Sequence, residues 1–155
     1  MLFKKSNGTY LVDKREFSSR LRKILGFKPG NLRLYEIAFI HRSASYTLPD
    51  GKRVNNERLE YLGDAVLDAI LSDYLFEKFP DASEGFMTKI RSRIVNREVL
   101  NHLALSMGIN DILISNINSI HNSKNLCGDA LEALIGSIFI DKGFKKTKKL
   151  FIRKV

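Results

Sequence analysis

"NNERLEYLGDAV", residues 55–66, has the rhythm of a helix and heads a long apolar run, yet it carries three carboxylates, Glu57, Glu60 and Asp64. On a wheel of 100° per residue with Glu57 at the origin, Glu60 falls at about 300° and Asp64 at about 340°, so all three share one narrow face. The other directions hold Leu59, Leu62, Val66, Leu67, Ala69, Ile70 and Leu71. A helix apolar on nearly every remaining side must be largely buried. Like charges one or two turns apart repel, and a low dielectric sharpens the repulsion. Such a stripe persists when it is solvated, paired with Arg or Lys, or bound to a cation.

A second acidic pair discriminates among these. Asp129 and Glu132 stand at i, i+3 on another apolar segment, among Leu131, Ala133, Leu134, Ile135 and Ile138. One such pair is ordinarily a solvated face, but two pairs on two buried helices can face each other across one pocket. Glu60, Asp64, Asp129 and Glu132 offer oxygen donors only, which suits a hard cation, Mg²⁺ or Mn²⁺, rather than zinc. Gly63, Ala65, Gly128, Ala130 and Gly136 permit close approach of the two helices. A mid-helix Gly costs about 1 kcal/mol against Ala, so Gly63 and Gly136 are assigned to tight packing.

Outward from this pair, the periodicity is helical almost throughout and no strand pair stands out. Residues 13–26 form a helix with Phe17, Leu21, Ile24 and Leu25 on one face and Gly26 as its stop, and residues 31–43 a second with Asn31 as cap. Residues 44–56 read as a loop around Pro49-Asp50-Gly51. The acidic helix runs from about 56 to 79 and ends before Pro80. Asn55 is its expected N-cap, with Val54 and Leu59 as a hydrophobic staple. Residues 83–107 are helical in two pieces that turn near Asn96, residues 109–125 are a polar loop with short helical turns, and residues 126–141 carry the second acidic pair. A basic tail, residues 144–155, closes the chain. The expected fold is all-α in one domain.

The chain has 155 residues, 44% of them apolar, enough for one real core. Its lone cysteine, Cys127, excludes an internal disulfide and is read as a packing residue. "MLFKKSNGTY" has no signal-like apolar stretch, and runs such as "ALIGSIFI" fall short of the roughly 18–20 residues of a membrane span. A cytoplasmic protein without membrane contact is expected. With 26 Lys and Arg against 17 Asp and Glu, the formal charge is +9, which draws polyanions, nucleic acid foremost.

"NERLEYLGDAVL" (56–67) resembles the signature helix of the ribonuclease III family, the double-stranded-RNA endonucleases. "AFIHRSAS" (38–45) is similar to the family's upstream His-Arg-Ser segment, "FPDASEGFMTKIRSRIVNREVLNHLA" (79–104) to its following helices, and "GDALEALIGSIFIDKG" (128–143) to its second acidic motif. Order and spacing agree over roughly residues 15–150. The resemblance implies a ribonuclease III endonuclease-domain-like helical fold, a homodimer, and metal-dependent hydrolysis of double-stranded RNA to 5′-phosphate and 3′-hydroxyl ends with staggered cuts, in rRNA or mRNA processing. It implies Glu60, Asp64, Asp129 and Glu132 as metal-binding catalytic carboxylates, with Glu57 lining the same valley. It further implies that Tyr61, following Leu59-Glu60, plugs into the partner subunit. Asp68, at about 20° on the wheel, does not match the family's pattern and is read as solvated or paired.

Recognition of A-form RNA works mainly through phosphates and 2′-hydroxyls. Lys89, Arg91, Arg93 and Arg97 are candidate contacts, as are Lys145, Lys146, Lys148 and Lys149 in the tail. His41 is given a structural role. Two departures stand out. "HNSKNLCGD" (121–129) lacks the commoner Ala before the acid, so no role is transferred to Lys124 or Asn125. A double-stranded-RNA-binding domain, usual after the nuclease domain in bacterial members, does not fit before Val155: either the chain is cut at the domain boundary, the reading that the linker-like basic tail favours, or it is similar to the short forms that lack that domain. The competing class is a non-catalytic, dimeric RNA-binding or ribosome-associated relative, which should have lost acids that are all present here. A ferritin-like di-metal protein needs Glu-x-x-His pairs, which do not occur.

Overall fold

The computed structural model describes residues 3–6, 9–116 and 125–154. Among these residues seven helices dominate: α1 (Lys14–Leu25), α2 (Leu32–Ala38), α3 (Glu57–Lys78), α4 (Glu84–Ile94), α5 (Arg97–Ser106), α6 (Leu126–Lys142) and α7 (Phe144–Ile152). Local chemistry sets their ends. Asp13 caps α1 by accepting from the Arg15 and Glu16 amides, and Gly26, at φ 73°, closes it in the left-handed conformation. Ser83 and Asn96 cap α4 and α5 through their side chains, which is why residues 83–107 break where the sequence says.

The core is built around the α3–α6 pair, which share the most extensive contact in the fold. Leu67, Ile70 and Leu71 of α3 and Leu131, Leu134 and Ile135 of α6 are buried with Phe17, Leu21, Tyr35 and Phe39. Burying each such side chain fully contributes about 1.5–3 kcal/mol. Close approach is possible because the crossing is glycine on glycine. A Cβ on Gly63 would lie 1.7 Å from the Glu132 carbonyl oxygen, and one on Gly136 2.4 Å from that of Leu59. The packing role expected of these two glycines is thereby met.

Four sequence expectations change. The helix expected over 31–43 stops at Ala38, because Ile40 leaves it to form a parallel bridge with Ile114, and the Phe39 carbonyl and His41 amide bond to Ile114. Arg42–Ala44 then forms a 3-10 turn. Two short antiparallel pairs are present where none was expected: β1 (Phe3–Ser6) with β2 (Thr9–Val12), and β3 (Tyr46–Thr47) with β4 (Arg53–Val54) across the expected loop. The N-cap of α3 is Asn56 rather than Asn55, although the Asn55 side chain still accepts from the Glu57 amide at 3.1 Å. Val54 packs with Ile40, Ala44 and Ile114 while Leu59 joins the main core, so the staple does not form.

The basic tail folds as α7 and buries Thr147 and Phe151, residues one turn apart. Lys148 ties it to Asp73 and Glu77 of α3 at 2.8 and 2.6 Å. The 109–125 loop contains the expected short turn at Ile109–Asp111; its residues 117–124 lie outside those described. Among the described residues, no helix is long and apolar enough to cross a membrane.

Candidate active site

The first turns of α3 and α6 lie side by side because the glycine crossing sits immediately beyond them. Between them opens a cleft of about 380 Å³, lined by Glu57, Glu60, Tyr61 and Asp64 from α3, Gly128, Asp129 and Glu132 from α6, and Val95, Arg97, Leu100 and Asn125. The five acids singled out in the sequence therefore meet in one place. Glu60, Asp129 and Glu132 form its tight centre, each offering a carboxylate oxygen within 4.8 Å of the others. Asp64 and Glu57 are exposed at the edges. Asp68, set aside on the wheel, lies outside the cleft with its carboxylate 3.8 Å from the Arg91 guanidinium.

The electrostatics are those of crowded acids. Burial, then Asp129 and Glu57, push the Glu60 carboxyl up to about 7, against the pull of Arg42 and Arg97. Burial, then Asp64, Glu60 and Asp129, do the same for Glu132, also to about 7. Burial raises Asp129 as well, opposed by His41, Arg97 and Arg42. Among the described residues, no ion pair within 4.0 Å joins Glu60, Asp64, Asp129 or Glu132 to a lysine or arginine. Three converging carboxylates, partly buried and without a lysine or arginine ion pair among the described residues, fit a divalent cation: the donor set is all oxygen, and an ion would offset the burial that raises all three and the repulsion that adds to it at Glu60 and Glu132.

A second lobe of about 350 Å³ continues the cleft toward the chain before α3. His41, Arg42, Asn56 and Leu126 line it, and it shares Glu57, Glu60, Arg97, Asn125 and Asp129 with the first. His41 is 4% exposed. Its Nδ1 accepts from the Ser43 amide at 3.1 Å and lies 2.8 Å from the Ser43 hydroxyl, an arrangement that orients the ring. Burial first, then Arg42, hold the imidazole below its ordinary pKa. Sequence reasoning gave no role to Arg42, Asn56 or Asn125. Arg42 lies inside the His-Arg-Ser segment, so the signal was present; Asn56 was hidden as half of an Asn-Asn pair.

The other candidates are dispersed. Tyr61 is not a core aromatic: it is 83% exposed at the rim of the cleft. Arg97 lies in both lobes. Lys89 and Arg93 are exposed on α4, and Lys145 and Lys146 on α7. Arg91 is engaged with Ser72 and Asp68, and Lys148 with α3, so both are spoken for within the fold. Lys146 and Lys149 border a separate groove between α1 and α7.

Comparison with known proteins places this geometry. Residues 31–155 match the Ribonuclease-III-like family. The Ribonuclease 3 of Phocaeicola vulgatus is 40% identical over 148 residues, covering 96% of this chain and 46% of that protein. The Ribonuclease 3 of Bacteroides fragilis is 43% identical over 141 residues, 91% of this chain and 49% of that one. The chain thus spans about half the length of the curated relatives it matches. A solved nuclease domain of ribonuclease III from Campylobacter jejuni, described for structural flexibility in a region involved in dimer formation, superposes with a TM-score of 0.76 at 33% identity. That match covers 87% of this chain and 93% of the other.

Proposed function

The chain belongs to the ribonuclease III family, and from that premise we propose that residues 1–155 are a single nuclease domain hydrolysing double-stranded RNA with Mg²⁺, or Mn²⁺ in its place. The observation that carries this reading is the convergence of Glu60, Asp129 and Glu132, from segments some seventy residues apart in sequence, to within 4.8 Å. Glu60, Asp64, Asp129 and Glu132 hold the ion, with Glu57 completing the acidic wall. A divalent cation there supplies polarisation of the phosphodiester and a lowered pKa for the attacking water.

The protein's own residues do the rest. The α3–α6 crossing fixes the carboxylates on rigid helices rather than loops, so their spacing is set before substrate arrives. Arg97 offers the phosphate backbone a planar donor beside the acids. Exposed Lys89 and Arg93 on α4, and Lys145 and Lys146 on α7, extend positive charge along the surface and make affinity fall with salt.

The working unit in this reading is a homodimer. Tyr61, at about 40° on the α3 wheel, begins an exposed stripe continued by Ala65, Ala69 and Phe76 at about 80°, 120° and 100°. The side chains of Tyr61 and Phe76 are 83% and 72% exposed. An apolar stripe beside the acidic one asks for cover, and a second copy there sets two clefts side by side, one for each strand. Staggered cuts follow from that arrangement, and 5′-phosphate and 3′-hydroxyl ends from attack of water on phosphorus with the 3′-oxygen as leaving group.

The test is incubation of the chain with long duplex and with single-stranded RNA, with and without Mg²⁺. Cleavage of duplex alone, dependent on the metal and lost in Glu132→Gln, is the expected result. Metal-independent cleavage, or undiminished cleavage by Glu132→Gln, overturns the reading.

A further inference from the structure

Between the ends of α1 and α7 runs a groove of about 460 Å³ that shares no lining residue with either lobe of the cleft. Its walls are cationic: Lys23 of α1 on one side, and Lys146, Lys149, Arg153 and Lys154 of α7 and its closing turn on the other. All five are exposed. No carboxylate lines the groove, and none of the five closes an ion pair within 4.0 Å among the described residues. Helix C-termini attract such side chains, and both helices end here. Two helix ends carry about one negative charge between them, however, so most of the positive charge has no counterpart.

The floor, by contrast, is apolar. Ile24 and Leu25 are buried there, and Phe27 and Leu150 are partly buried and packed against the main core. The Lys142 ammonium stands 5.7 Å from the Phe27 ring centroid and is itself held by Asp141 at 3.3 Å, which steadies the ring. Lys146, Lys149 and Arg153 stand at i, i+3 and i+7, one face of a helix. A row of cations therefore runs beside an apolar strip for about two turns, roughly 10 Å.

We propose that this groove docks an acidic amphipathic helix of a protein partner, its apolar face on Phe27 and Leu150 and its carboxylates along Lys23, Lys149 and Arg153. The two halves of the groove together select that occupant. Duplex RNA answers the cations, but its convex surface presents phosphates and 2′-hydroxyls and nothing apolar for the floor. An uncharged apolar helix leaves the walls uncompensated. A helix with apolar residues on one face and Glu or Asp beside them meets both, which is the helix-in-groove mode of recognition. The charged walls then set the choice of partner and the rate of encounter more than raw affinity. Because groove and cleft share no residue, the partner is held without occupying the acids. The inference does not depend on the chemistry of the cleft.

The probe is a fluorescein-labelled peptide of Leu and Glu with Leu recurring at helical spacing, and its control is a scrambled peptide of the same composition. Anisotropy is followed on titration with the whole chain at about 0.15 M salt, where exposed charges are screened beyond about 8 Å. The amphipathic peptide should bind saturably and about tenfold or more tighter than the scrambled one. Lys23→Glu with Arg153→Glu should weaken it by about tenfold or more. The same charge change at Lys14 and Arg15, exposed at the start of α1, should weaken it by less than about twofold. Duplex RNA, titrated against both double variants in the Glu132→Gln protein, should lose affinity to the same extent in each. If charge reversal lowers the melting temperature, Lys23→Gln with Arg153→Gln replaces it, with an expected loss of about threefold. Equal binding of the two peptides, or equal losses from the groove pair and the α1 pair, overturns the proposal. So does an RNA affinity that falls about tenfold further in the groove pair than in the α1 pair, which makes the groove an RNA surface.

Discussion

Replacing Gly63 with alanine puts the whole architecture under strain at one atom. The new Cβ would sit 1.7 Å from the Glu132 carbonyl oxygen, 2.5 Å from its carbonyl carbon and 2.9 Å from the Gly136 nitrogen. All three obstacles are backbone, so no side chain can rotate away. Restoring an ordinary contact of about 3.5 Å requires α3 and α6 to part by roughly 1.8 Å. Overpacking of this kind costs about 1–3 kcal/mol and sometimes more, while alanine returns only about 1 kcal/mol of helix propensity. Because both faces of the clash are main chain, the net loss should lie near 3 kcal/mol, a large part of a typical stability of about 5–15 kcal/mol. The same displacement moves Glu132 away from Glu60, and a shift of about 1 Å can cost about 100-fold in rate. Gly128→Ala is the control, since its Cβ would meet nothing closer than 3.6 Å. Urea denaturation and metal-dependent cleavage of duplex RNA, measured on both variants, give the comparison. A Gly63→Ala protein as stable and active as its parent, or a Gly128→Ala protein equally impaired, would refute the reasoning.

Three further outcomes follow from the site. Without metal, folded Glu60 and Glu132 keep protons up to about 7 where the unfolded chain releases them near 4.5. The folded state therefore binds more protons in that window and stability falls as pH rises through it; melting temperatures of metal-free Glu132→Gln should show a shallower fall, and an equally steep one would contradict the crowding. Asp68→Asn should leave cleavage within about twofold of its parent, because Asp68 meets Arg91 at 3.8 Å outside the cleft; a loss of 100-fold would return it to the site. Tyr61→Ala should weaken self-association in sedimentation by tenfold or more, the scale of a buried interface aromatic at about 1.4 kcal/mol or above, and an unchanged dimer would remove that role.

Legibility in the sequence tracked the range of the interactions. The bounds of α1, α3, α4 and α5 follow from caps and periodicity within a few residues, and all were readable. The end of α2 was not, because Ile40 keeps the apolar rhythm of the helix while its backbone pairs with Ile114, far along the chain. The β3–β4 pair holds two residues on each side, too few to alternate visibly. The acidic centre could be read because helical geometry alone puts Glu57, Glu60 and Asp64 on one face, and because two such faces ask for each other. The second lobe could not, since Arg42, Asn56 and Asn125 converge only once the turn after α2 lies against the first turns of α3 and α6. Tyr61, whose exposure gives it meaning, carries no local mark that separates it from a core aromatic.

Calorimetric titration of Mn²⁺ into the chain near neutral pH, repeated in buffers of different ionisation enthalpy, goes straight to the claim that a cation relieves the repulsion among these acids. Saturable binding with a buffer-dependent heat is the account's result, because ions entering between Glu60, Asp129 and Glu132 must expel the protons that Glu60 and Glu132 hold at about 7. Glu132→Gln should lose most of both signals. Binding that releases no protons, or survives intact in Glu132→Gln, would contradict it.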